Sequence, residues 1–373
     1  MIISKKKVIF KILKEFSKIP FLPLALVFGF VTFLRNRLYD LGFIKSYNPL
    51  KHTICVGNLS VGGSGKTPHV EYLINLLKAE FSLATLSRGY KRKTKGYIIA
   101  DSHSTAEDIG DEPLLYKTKY PNLTVCVEVN RVKGVKKLTV HEPSPQLIIL
   151  DDAFQHRPIK CGLNIVVSEY DNLYYNDSLM PVGRLRESKS GMRRADIIVV
   201  SKTPEKTTPV EIRNVLKDIK PLPHQYVFFS YLKYGDIYAI NNPNEKLSTL
   251  NDLFRFRLIV FTGIANPVPM ITYLKEYSAG VSHLPFDDHH QYTVADIANI
   301  QKYYETFEGG NKLMVTTEKD LMRLKLPEIW AIAQRMNIFV LPVEVTFKDK
   351  TEEFNEIILK YVRTNKLYHQ KYT

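Results

Sequence analysis

From residue 52 to residue 58 the chain is mostly apolar, with Ile54, Cys55 and Val56 at the centre, and then it changes abruptly to glycine and serine. Beyond that break Val70, Leu73, Ile74 and Leu77 recur at the spacing of one helical face. Short apolar runs return at 82–85, 123–127, 147–150, 163–167 and 196–200, with helical stretches between some of them. Apolar strands alternating with helices predict a mostly parallel sheet covered on both faces. Around 218–226 the pattern shifts, and strands are expected at 257–261, 313–317 and 338–343, with a helix after Pro267. The expected organisation is an N-terminal segment over 1–38, a larger α/β domain over 39–217 and a smaller α/β domain over 218–373.

The N-terminus has its own pattern. Residues 1–18 carry Lys5, Lys6, Lys7, Lys11, Lys14 and Lys18 against one acid, Glu15. Val8, Ile12 and Phe16 share one helical face, which reads as a basic amphipathic helix. Residues 19–34 follow, with Thr32 as the one polar side chain, and then come Arg35 and Arg37. A spanning helix takes about 20 apolar residues. This run is shorter and has Pro20 and Pro23 at its start, so an interfacial or partly inserted anchor on anionic headgroups is expected.

Composition adds little to the fold and something to the partners. The 373 residues are 45% hydrophobic and 24% charged, which suits a core-forming protein. The net charge of +14 favours anionic partners. No zinc-finger spacing or RNA-binding aromatic signature is present, so nucleic acid is not expected. The three cysteines, Cys55, Cys126 and Cys161, form no CxxC pair and read as reduced thiols.

The chemistry begins at the glycine-serine break. Ser60-Val61-Gly62-Gly63-Ser64-Gly65-Lys66-Thr67 lies between a strand and a helix, which is the context of a P-loop. Glycines let backbone N–H groups turn inward onto phosphate oxygens, and the helix N-terminus favours the negative charge. ATP is therefore the expected ligand, with Lys66 on the β- and γ-phosphates and Thr67 on Mg²⁺. The pattern asks for glycine six residues before the lysine, where Ser60 stands. The run 147–150 ends in Asp151-Asp152, as a Walker B strand does, so both acids are candidate Mg²⁺ partners. The fold class expected is a doubly wound P-loop NTPase sheet with a second, smaller α/β domain.

Three classes of P-loop protein compete. A GTPase should show Asn-Lys-x-Asp after a late strand, and here Ser201-Lys202-Thr203-Pro204 stands there. A membrane ATPase switch of the MinD/ParA type needs a second lysine where this chain has Val61; it remains the alternative reading. A kinase needs a carboxylate for the substrate hydroxyl. Asp108-Ile109-Gly110-Asp111-Glu112-Pro113 offers acids on a loop before a helix at 114–119, a pattern that also suits a helix cap. Phe286-Asp287-Asp288-His289-His290 offers a histidine that can pair with an acid, though it also suits a surface loop.

Taken in order, these motifs resemble one family, the tetraacyldisaccharide 4'-kinases, which are the lipid A 4'-kinases of Gram-negative bacteria. The resemblance rests on Val56-Gly57-Asn58-Leu59 before the P-loop and Pro68 after it, then on Ser87-Arg88-Gly89-Tyr90 and Gly110-Asp111-Glu112-Pro113. It continues through Leu150-Asp151-Asp152-Ala153-Phe154-Gln155-His156, Leu185-Arg186-Glu187, Arg194-Ala195-Asp196 and Asp288-His289-His290, and fades beyond Asp320. It implies transfer of the γ-phosphate of ATP to the 4'-hydroxyl of a tetraacylated glucosamine disaccharide 1-phosphate. The lipid substrate would be met at the cytoplasmic face of the inner membrane. By likeness, Asp111 is the catalytic base with His289 as partner, Asp151 and Asp152 are Mg²⁺-linked, and Arg186 with Glu187 lies near the reacting phosphate. Ala153 stands where the family usually has glycine, and Arg184 where it often has proline.

Overall fold

The structure is a computed structural model that describes residues 19–308 and 310–370. The basic helix expected over 1–18 lies outside the described residues. Within them the strands are β1 (His52–Gly57), β2 (Leu83–Ser87), β3 (Ile98–Ile99), β4 (Thr124–Val127), β5 (Leu147–Asp151), β6 (Leu163–Glu169), β7 (Ile197–Ser201), β8 (Tyr226–Tyr234), β9 (Ile237–Ala239), β10 (Lys246–Leu247), β11 (Arg257–Thr262), β12 (Gly280–Pro285), β13 (Lys312–Thr317), β14 (Ile338–Leu341) and β15 (Val343–Lys348).

A nine-stranded sheet has the order β15-β8-β7-β6-β1-β5-β2-β4-β3. Its pairs from β4 through to β8 are parallel, and β3 and β15 are antiparallel edges. A six-stranded sheet has the order β10-β9-β14-β13-β11-β12. Successive residues of a strand face opposite sides, so Ile54 and Val56 join one core and Cys55 joins the other. The first core continues into Ile259, Phe261, Met314 and Val340, so one face of each sheet shares it. Cys55 and Cys126 are buried free thiols.

The passage between sheets differs from the expected division at 217/218. Strand β8 still pairs with β7 of the large sheet. The chain leaves at Gly235 and returns at Pro342, where Gly235 N donates to Pro342 O at 3.2 Å. The single strand expected over 338–343 is accordingly two: β14 in the small sheet and β15 in the large one. Pro342 has no N–H for a ladder, so a continuous strand breaks there. Helix Thr351–Gln370 also belongs to the large sheet, burying Phe354, Ile358 and Val362 in its core.

The apolar run before β1 forms helix α1 (Leu22–Asp40). Its polarity is inverted. Thr32 and Asn36 are buried against the protein, while Leu24, Leu26, Val27, Phe30 and Val31 are exposed. No helix among the described residues is long and apolar enough to cross a membrane.

Candidate active site

The P-loop leaves β1 at the point where neighbouring strands diverge, with β5 on one side and β6 on the other. Such a switch point opens a crevice at the strand ends. Gly62 and Gly65 adopt φ of 111° and 86°, conformations that a side chain would strain. Helix α2 (Lys66–Leu77) starts at once, and no side chain caps its first turn. Pro68 sits in that turn, where a missing N–H costs nothing. The loop is anchored from outside: Asn58 Nδ2 donates to Ser64 Oγ at 3.0 Å, and Ser201 Oγ to Ser64 O at 2.7 Å. His69 spans Gly65 O at 2.7 Å and Ser230 Oγ at 2.9 Å. Ser60 and Val61 serve differently from the residues after them. Ser60 bridges to Leu185, and Val61 N donates to Arg184 O at 2.8 Å, so that amide faces away from any phosphate.

The two acids end β5 beside this loop. The register places Asp151 opposite Val56, and Asp152 N donates to Val56 O at 2.9 Å. Asp151 is buried and accepts from Tyr116 Oη at 2.9 Å. Burial, with the charges of Glu112 and Asp152, raises its carboxyl to about 6. Asp152 lies 3.5 Å from Lys66 Nζ and accepts from Arg186 Nη1 at 2.9 and 3.0 Å. Burial opposes its charge, but Lys66 and Arg186 outweigh that and hold its carboxyl below the ordinary range.

Tyr116 belongs to helix α3 (Asp111–Lys119), which begins at the acids themselves rather than after a loop. Asp108 is spent as the capping partner of Thr105. Asp111 is buried and meets His289 from the small sheet, with His289 Nδ1 2.9 Å from Asp111 Oδ2. The structure thus brings together the two residues that lie far apart in sequence. His290 turns away to Asp296, at 3.0 Å. Burial works against the Asp111 charge, yet the hydrogen bond to His289 and the charge of Arg323 hold its carboxyl well below the usual range. Lys66, Asp152 and Arg186 form one group and Asp111 with His289 another. Tyr116 on α3 links them by reaching Asp151. The loop after β11 comes close as well: a Cβ on Gly63 would meet Ala265 at 3.5 Å.

Several residues in contact with these were not legible as site residues. Arg323 and Asp320, both buried, lie on helix α4 (Glu318–Leu324), past the end of the recognised motifs. Their signal was the capping pair Thr317 and Asp320, which marks a helix start directly after β13. Asn36 and Arg131 were also missed. Asn36 sits between Arg35 and Arg37, just past the apolar run, and Arg131 hides in an ordinary amphipathic helix, donating to Val129 O at 2.9 Å.

A donor set of this kind suits a nucleotide and a divalent cation. Uncapped helical N–H groups and a lysine meet phosphate, and Thr67 with the two acids supplies oxygen ligands of the kind Mg²⁺ takes. A buried carboxyl raised to about 6 is a group that a bound cation would return to its charged form.

Comparison with known proteins agrees over nearly the whole chain. A family model described as tetraacyldisaccharide-1-P 4'-kinase matches residues 17–363. A tetraacyldisaccharide 4'-kinase of Bacteroides thetaiotaomicron is 41% identical over 352 residues, covering 92% of this chain and 93% of that one. One of Flavobacterium johnsoniae is 40% identical over 344 residues, covering 92% and 96%. The crystal structure of LpxK from Aquifex aeolicus in complex with ATP superposes with a TM-score of 0.71 at 29% identity, covering 93% of this chain and 99% of that one. With a model and relatives matched at this length, the chain belongs to the tetraacyldisaccharide-1-P 4'-kinase family.

Proposed function

We propose that this protein transfers the γ-phosphate of ATP to the 4'-hydroxyl of a tetraacylated glucosamine disaccharide 1-phosphate, working at an anionic membrane surface on its cytoplasmic side. The observation that carries this reading is the Asp111–His289 pair at 2.9 Å, set beside a P-loop. A nucleotide switch has no need of a proton acceptor shared between two sheets, whereas transfer to an alcohol does.

Each group has a task under this reading. Residues Gly62 to Thr67 cradle the phosphates, with Ser60 and Val61 holding that cradle to the loop of Arg184, Leu185 and Arg186. Lys66 and Arg186, both on Asp152 here, turn to the transferring phosphoryl and offset its charge as the bond to the leaving oxygen breaks. Mg²⁺ held by Thr67, Asp151 and Asp152 would draw further charge from the phosphate oxygens. Asp111 and His289 receive the hydroxyl proton. Helix α1 presents its apolar face to lipid, so that an acylated substrate need not leave the membrane.

The test is a γ-phosphate transfer assay with a disaccharide 1-phosphate lipid in vesicles, run beside a plain ATPase assay. Label recovered in the lipid is expected. Label appearing only as free phosphate would favour the ATPase switch.

A further inference from the structure

Helices α3 and α4 meet across the gap between the sheets through ion pairs. Lys119 reaches Glu318 at 2.9 Å, Lys319 reaches Glu112 at 2.9 Å, and Arg323 closes on Asp111. Arg323 is fully buried, and its guanidinium has three oxygen acceptors. Nε lies 3.1 Å from Asp111 Oδ2 and Nη2 is also bonded to that oxygen, while Nη1 donates at 2.8 Å to both Asp320 Oδ1 and Gly263 O. Gly263 O is also the acceptor for His289 N, at 3.0 Å. His289 sits at φ 58°, a left-handed conformation that needs such support. A side chain at Gly263 would press on Arg323 Nη1 at 3.2 Å and on Asp287 O at 3.0 Å. Arg323 therefore grips the dyad twice, by the Asp111 carboxylate and by the backbone turn that carries His289.

That grip divides the labour. Asp111 Oδ2 already receives Arg323 and His289 Nδ1, and Asp111 Oδ1 receives Glu112 N at 3.1 Å. An ionised carboxylate only accepts, so Nδ1 carries the hydrogen, and in the neutral ring Nε2 then holds the lone pair. The Asp111 side chain is 5% exposed and that of His289 18%, so the histidine is the member a substrate can reach. We propose that Arg323 is a positioning residue of this site, fixing the Asp111 carboxylate and the turn of His289 together so that the pair stands in place for the proton transfer. This deepens the kinase reading and rests on it. In the step, the hydroxyl oxygen bonds to the γ-phosphorus and the bond from that phosphorus to the β–γ bridging oxygen breaks. ADP leaves with that electron pair, and the hydroxyl proton passes to the pair.

The test uses the full-length protein with ATP and the vesicle-borne lipid. Arg323→Met should lower kcat about ten- to hundredfold, since a misplaced proton acceptor forfeits part of its contribution. KM for ATP should stay within about twofold, because no ground-state contact to nucleotide is lost. Arg323→Lys should restore most of the loss. Wild-type kcat in Arg323→Met, a loss confined to KM, or equal losses in the Met and Lys variants would overturn the assignment. Should Arg323→Met not fold, Arg323→Gln decides: a kcat about tenfold lower with KM for ATP unchanged is expected, and wild-type kcat overturns it. Wild-type protein that labels no lipid removes the kinase reading and this assignment together, whereas transfer unaffected by Arg323→Met removes the assignment alone.

Discussion

Asn36 Nδ2 donates to Glu187 Oε2 at 2.7 Å, which ties the apolar helix to the residue next to Arg186. Glu187 is fully buried and also accepts from Arg194 at 2.8 and 2.9 Å and from Gln155 at 3.2 Å. Arg186 in turn holds Asp152. A polar contact on the buried side of a helix whose other face is exposed and apolar thus lies one residue from Arg186. Asn36→Leu should lower stability by about 1–2 kcal/mol, the usual consequence of a lost buried hydrogen bond. It should also lower turnover more than the equally buried Thr32→Val, which bonds only within its own helix, at 2.9 and 3.1 Å. Thermal melts and lipid transfer rates on both variants test this. Equal turnover in the two would mean that the helix acts only as an anchor.

The exposed face of α1 makes a separable prediction. Val27 and Phe30 are 62% and 65% exposed, so Val27→Asp with Phe30→Asp should change stability by no more than about 0.5 kcal/mol each. Each apolar side chain that enters lipid contributes about 1.5–3 kcal/mol, so the double variant should lose most of its cosedimentation with anionic vesicles. Retained cosedimentation would place the membrane contact elsewhere.

Lys66 Nζ lies 3.5 Å from Asp152 Oδ1, at the head of the helix that follows the P-loop. Lys66→Ala should cost on the order of 10²–10³-fold in kcat, the usual loss for one electrostatic donor to a developing charge. Arg186→Ala should cost a similar factor and, unlike Lys66→Ala, leave ATP affinity nearly intact. Nucleotide titration by fluorescence beside the transfer assay separates the two.

His69 carries a pH dependence. Burial lowers its pKa from 6.5 to about 4, against the hydrogen bond at Gly65 O, so it is neutral in the fold. The unfolded chain binds a proton there that the folded chain refuses, so stability is intact above 6.5 and is lost as pH falls from 6.5 towards 4. Up to about 3 kcal/mol is withdrawn across that window. His69→Gln, which can still donate to Gly65 O, should flatten this part of the profile. Melting curves from pH 4 to pH 8 on both proteins check it, and parallel profiles would remove His69 from the account.

Much of this site is local, and local features are legible in a sequence. The P-loop needs glycines where φ turns positive and a helix that starts within a residue or two. The acids at 151 and 152 need only to end a buried strand. Such requirements fall on neighbouring residues, so composition and spacing record them. The same holds for the run before β1: its apolarity was plain, although which residues face inward was not.

The sequence by itself determined the alternation of strands and helices, the phosphate loop, the paired acids and an apolar N-terminal run, because each is a short-range pattern with a direct physical cause. Tertiary structure decided what those patterns meet. It set Arg323 and His289 on Asp111 from another sheet, with Arg323 lying 212 residues from Asp111 along the chain. It also sent the chain back to the large sheet at Pro342, and it set Asn36 on Glu187. The reason is that an ion pair between distant residues leaves no period and no fixed spacing. Arg323 reads as one more surface cation of a short helix until folding buries it between Asp320 of its own helix and Asp111, which only the packed sheets bring within reach.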